Sequence, residues 1–103
     1  MKHLKTYESL SDKPEIGDYV ICEDEEIISN NTFRPFIKNN IGQIIEIDEK
    51  PPEYNIKYEN IPTHLLNDYF YDDARYFYRK EIKYFSDNKE DLEILMNANK
   101  YNL

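Results

Sequence analysis

The sequence predicts a small, mainly β domain of the α+β class: an antiparallel barrel with a short helix before the last strand and a helix at the C-terminal end. Three observations lead there. Tyr54-Asn55-Ile56-Lys57-Tyr58-Glu59 alternates strictly, so that Tyr54, Ile56 and Tyr58 share one face of a strand. Runs of β-forming residues recur around it, at Tyr19–Cys22, Ile41–Asp48 and Tyr76–Phe85. The final stretch instead spaces Leu92, Leu95, Met96 and Asn99 along a helical stripe, with Ile94, Ala98 and Tyr101 beside it.

Residues 1–15 mix charge with isolated Leu4, Tyr7 and Leu10 and read as an arm that ends at Lys13-Pro14, because the residue before a proline disfavours helix. Gly17 supplies the turn into a first strand, Tyr19-Val20-Ile21-Cys22. Glu23-Asp24-Glu25-Glu26 interrupts it, Ile27-Ile28 is placed to resume it, and Ser29-Asn30-Asn31-Thr32 reads as a loop. In Ile41–Asp48 the expectation is that Ile41, Ile45 and Ile47 share one face. Lys50-Pro51-Pro52-Glu53 then joins this strand to the next as a hairpin, since neither proline can donate to a ladder.

After Pro62, Leu65 pairs with Tyr69 and Leu66 with Phe70 at helical spacing, and Asp72-Asp73 breaks the helix. Tyr76–Phe85 reads as one final strand, or two separated by a bend, in which Ile82 and Tyr84 keep the parity of Tyr76 and Tyr78. Ser86 or Asp87 is placed to cap the last helix, and Asp87-x-x-Glu90 has the spacing of a capping box. The domain division is an arm over 1–15, a barrel over 16–86 and a helix over 87–103 packed on the barrel.

Composition narrows the function classes. With 21 acidic and 13 basic residues among 103, the net charge is -8, and a single cysteine precludes an internal disulfide. No run approaches the ~20 apolar residues that span a bilayer, and no apolar signal core follows Met1 to Thr6, so a soluble cytoplasmic protein is expected. Isoleucine, asparagine, lysine and tyrosine have A/T-rich codons and together make 44 residues, so raw tyrosine and asparagine counts carry little functional weight.

Catalysis finds no signature. His3 and His64 stand far apart, and Cys22 within a strand reads as a small buried residue rather than a nucleophile. No C-x-x-C, H-E-x-x-H or calcium-loop pattern is present, and Glu23 to Glu26 reads as a solvated face. Two isolated glycines, Gly17 and Gly42, build no phosphate-cradling loop. No cofactor, metal or catalytic residue is therefore expected, and the reading is non-enzymatic.

Gly17-Asp18-Tyr19-Val20, then Ile41-Gly42-Gln43-Ile44, then Tyr54-Asn55-Ile56-Lys57-Tyr58 and a last strand near Ile82 resemble the Src-homology-3-like barrel of KOW, Tudor and related modules over residues 16–86. The texture of the chain, with its Met1-Lys2-His3-Leu4 start and Asn88-Lys89-Glu90-Asp91-Leu92-Glu93 helix, is similar to small uncharacterised proteins of phages and large DNA viruses. The resemblance implies a small binding domain, in a host cytoplasm if viral, with no residue-level ligand motif to carry over.

Net charge opposes nucleic acid as the ligand, although Arg75, Arg79, Lys80 and Lys83 interleave with Tyr76-Phe77-Tyr78 as a single-strand stacking platform would. Protein binding is the stronger expectation. Ten tyrosines exceed what one small core buries, and six aromatics fall within residues 69–78. Tyr69, Tyr71, Arg75, Tyr76, Tyr78 and Arg79 are the candidate partner-binding residues. An alternative is an acidic nucleic-acid mimic that presents Glu23 to Glu26, Asp48-Glu49, Asp72-Asp73 and Asp87 to Glu93 to a host nucleic-acid-binding protein.

Overall fold

The first four strands pair antiparallel in chain order, and the fifth returns to lie antiparallel beside the first. The computed structural model describes residues 13–23 and 32–101. Residues 1–12 of the arm expected over 1–15, the acidic run beyond Glu23, Ile27-Ile28 and the loop before Thr32 lie outside the described residues. The elements are β1 (Tyr19–Cys22), α1 (Phe33–Lys38), β2 (Gly42–Ile47), β3 (Tyr54–Lys57), α2 (Thr63–Tyr69), β4 (Ala74–Phe77), a 3₁₀ turn (Arg79–Glu81), β5 (Ile82–Ser86) and α3 (Lys89–Tyr101). They form an α+β domain whose single five-stranded sheet has the order β4-β3-β2-β1-β5.

The hairpin of β2 and β3 follows the expected pairing, with Ile44 opposite Ile56 and Ile47 opposite Tyr54. Tyr54, Ile56 and Tyr58 are all buried, as their alternation required. The face assigned to β2 is corrected. Ile45 does not share a face with Ile47, and Ile44 reaches the core, because the register shifts between Ile44 and Glu46 and inserts one extra residue. That bulge sets Ile45 and Glu46 together against Asn55, leaving Ile45 44% exposed, and it returns Ile47 to the side of Tyr54.

Helix α1 occupies Phe33–Lys38, a segment the sequence reading did not make helical. Pro35 sits in the first turn, where a missing backbone N–H costs no intrahelical bond, and Phe33 and Ile37 bury one face at a spacing of one helical turn. Helix α2 follows Pro62 as expected and buries Leu65, with Leu66 and Tyr69 half-buried beside it. The run Tyr76–Phe85 is two strands, because Arg79–Glu81 turns as a 3₁₀ helix braced by the Tyr78 N–H donating to Glu81 Oε1 at 2.9 Å. This turn breaks the parity that would have carried Tyr76 and Tyr78 into Ile82 and Tyr84.

Helix α3 begins differently from the expected Asp87-to-Glu90 box. Asn88 Oδ1 accepts the Glu90 N–H at 2.9 Å, while the buried Ser86 hydroxyl accepts the Asn88 N–H at 3.0 Å and donates to Asp91 Oδ2 at 2.9 Å. The helix rests on β1 and β5 and brings the fully buried Leu92 there, with Leu95 and Met96 half-buried. Ile94 is 69% exposed, and the side chains of Asn99 and Tyr101 lie outside the described ones.

One cluster holds the main core, made by Val20 and Cys22 of β1, Phe33 and Ile37 of α1, Ile44, Tyr54, Ile56, Tyr58, Leu65, Phe70, Phe77, Ile82 and Phe85. Among the described residues no helix is long and apolar enough to cross a membrane.

Candidate functional site

Strand β4 divides the aromatic segment between two faces of the sheet. Its inner face carries Arg75 and Phe77, which pair with the buried Ile56 and Tyr54. Its outer face carries Tyr76 opposite Asn55. The candidate residues therefore do not make one contiguous surface.

Tyr69 and Arg75 belong to an internal assembly. The Tyr69 ring stacks on Phe33 with centroids 4.5 Å apart and planes at 21°. The Arg75 guanidinium lies 5.0 Å from the Phe33 centroid and 5.9 Å from those of Tyr69 and Phe77, and Nη1 donates to the Tyr69 carbonyl at 3.0 Å. One cation thus ties α1, α2 and β4 together. Phe33, which the sequence reading passed over, is the platform for both.

Tyr78 and Arg79 flank the 3₁₀ turn. Arg79 lies 5.3 Å from the Phe85 ring centroid and donates from Nη1 to the Ile82 carbonyl at 3.2 Å. Lys80 Nζ sits 5.7 Å from the Tyr78 ring centroid. Arg75, Arg79 and Lys80, three of the cations that interleave with aromatics in the sequence, thus lie against the protein's own rings.

Tyr71 and Tyr76 are the candidates that face outward. Tyr71, 87% exposed, stands at a tight turn closed by its own N–H donating to the Ala74 carbonyl at 2.8 Å and by the reverse bond at 3.1 Å. Tyr76 is 36% exposed and donates its hydroxyl to Glu46 Oε1 at 3.0 Å. That bond first, then partial desolvation and the nearby Asp48 carboxylate, pushes the Tyr76 phenol above its ordinary pKa. Asn55 Nδ2 reaches the same Glu46 oxygen at 3.5 Å, so Ile45, Glu46, Asn55 and Tyr76 form one patch across β2, β3 and β4. The bulge creates this patch, and no sequence signal marks the bulge.

Cys22 lies in the core as a free thiol. The thiol is fully buried, and desolvation pushes its pKa up to about 12, so the nucleophilic thiolate is not formed near neutrality. The buried Tyr58 hydroxyl lies beside it without a well-shaped hydrogen bond among the described residues. Glu81, also buried, adds a negative charge that favours the protonated form of both groups. His64 Nε2 shares a 3.1 Å hydrogen bond with the Thr32 hydroxyl, linking the starts of α2 and α1. Among the described residues no group of three or more His, Cys, Asp or Glu side chains is placed to hold a metal ion. Comparison with known protein families, with curated proteins and with solved structures gives no match to this chain.

Proposed function

We propose that this chain is a small non-enzymatic interaction module that docks on a partner protein through aromatic side chains its fold leaves at the surface. The observation that carries the reading is the outer-face patch of Ile45, Glu46, Asn55 and Tyr76, joined by Tyr71 at the neighbouring turn. An aromatic ring with a satisfied hydroxyl, set beside an aliphatic side chain on a rigid sheet, has the make-up of an interface anchor. The closed thiol and the histidine bonded to threonine offer no nucleophile-and-base pair, which favours binding over catalysis.

The sheet order and the 3₁₀ turn before the last strand favour the Src-homology-3-like barrel as the architecture. The sequence texture suggests a phage or viral accessory protein acting in a host cytoplasm. Tyr69, Arg75, Tyr78 and Arg79 then serve binding indirectly, by holding the elements that present Tyr71 and Tyr76.

Affinity purification from the native cell, read by mass spectrometry against Tyr71→Ala and Tyr76→Ala chains, tests this. Loss of a specific co-purifying protein with both variants, at unchanged thermal midpoints, is the expected result. Retention of the same partners by both variants, or capture of nucleic acid in place of protein, would overturn the reading.

A further inference from the structure

An open groove of about 750 Å³ lies where β3 ends and the β3–β4 connection folds back. Its lining includes the carboxylates of Glu59, Asp72 and Asp73 and a single cation, Lys57. Lys57 Nζ is 3.8 Å from Asp73 Oδ2, so the one ammonium is directed to one of the three acids. Among the described residues Glu59 and Asp72 have no ionic partner. Half-buried Ile61 and Leu66 add an apolar surface to the same groove.

The walls are braced. The Tyr58 N–H donates to the Asp73 carbonyl at 2.9 Å, and the Leu66 N–H donates to the Pro62 carbonyl at 2.9 Å. Asn60 and Asp72 both hold left-handed backbone, with φ of 58° and 60°, which turns the chain sharply on either side of the groove.

We propose that this groove docks a basic segment of a partner protein, one in which a lysine or arginine is flanked by an aliphatic residue. The cationic head meets Glu59 and Asp72, and the aliphatic neighbour packs on Ile61 and Leu66. The overall charge of -8 attracts such a segment and repels acidic peptides and phosphates. This proposal rests on the protein-binding reading above and adds a surface distinct from the Tyr76 patch, with the partner chemistry defined.

The test uses the full chain and two fluorescent hexapeptides, one alternating lysine with leucine and one alternating glutamate with leucine. Fluorescence anisotropy and amide chemical-shift mapping read the binding. The basic peptide binds and the acidic one does not, with shifts centred on residues 57–61, 66 and 72–73. Glu59→Gln combined with Asp72→Asn keeps both side-chain shapes and the left-handed turn, and it weakens binding about tenfold at an unchanged thermal midpoint, two exposed charge contacts being removed. Asp48→Asn combined with Glu49→Gln removes the same charge from the hairpin and leaves binding unchanged. Equal weakening by both pairs, no binding at millimolar peptide, or shifts centred on Tyr76 and Glu46 would each overturn the groove proposal. The last of these outcomes would leave the Tyr76 patch standing as a docking face.

Discussion

Replacing Tyr58 by phenylalanine removes a buried hydroxyl that has no well-shaped hydrogen bond among the described residues, while keeping the ring packed between Phe36, Phe70 and Phe77. Because the lost group made little use of its place, stability in urea should change by less than about 1 kcal/mol or rise, and a clear loss would show that the hydroxyl is well bonded after all. The same corner governs the response to alkali. Burial raises the Cys22 thiol from 9.0 to about 12 and raises Tyr58 well above 10.0. Both groups are neutral when protonated, and the folded chain holds these protons more tightly than the unfolded one. Their contribution is therefore complete below pH 9 and falls as the pH climbs toward 12. Urea midpoints measured from pH 8 to 11 should fall steeply above 9 in the native chain and less steeply in Cys22→Ala; parallel curves would remove the thiol from the account.

Strands β2 and β3 approach each other closely at Gly42. A Cβ built there would lie 2.5 Å from Ile56 Cγ2 and 2.9 Å from Tyr58 Cζ, so β3 and the tyrosine after it pack directly on the backbone of β2. Gly42→Ala should cost about 1–3 kcal/mol, read as a lowered thermal midpoint with the circular-dichroism spectrum retained, because the overlap involves a strand side chain and a ring held in the core. This crowding also explains how much of the hairpin was legible. Tyr54, Ile56 and Tyr58 announced their face through strict alternation, and Pro51-Pro52 announced the connection. The grouping of Ile45 with Ile47 misled, since alternation assumes an unbroken register and the bulge between Ile44 and Glu46 shifts it by one. Helix α1 was illegible for a related reason: Pro35 and its short length suppress the helical signal, and the burial of Phe33 and Ile37 in the core cluster supplies the missing stability.

For the molecule as a whole, a net charge of -8 on 103 residues makes self-repulsion a global cost. Raising sodium chloride from low to moderate concentration should raise the thermal midpoint by a few degrees; a fall would mean that attractive pairs, such as Lys57 with Asp73, outweigh the repulsion. The candidate site shows the same division between local and global information. Sequence marked residues 69–78 as unusually aromatic, and that segment does organise the structure. It had no means of separating Tyr69 and Arg75, used in packing, from Tyr71 and Tyr76, left outside, because that depends on which face of β4 meets α1 and α2. By itself the sequence determined the β-rich class, the central hairpin, the helix after Pro62, the helix after β5 and the burial of Cys22, all of which follow from side-chain periodicity and chain stiffness over a few residues. Only the tertiary structure decided the bulge, helix α1, the outer patch and the acidic groove, because each depends on contacts between segments distant in the chain.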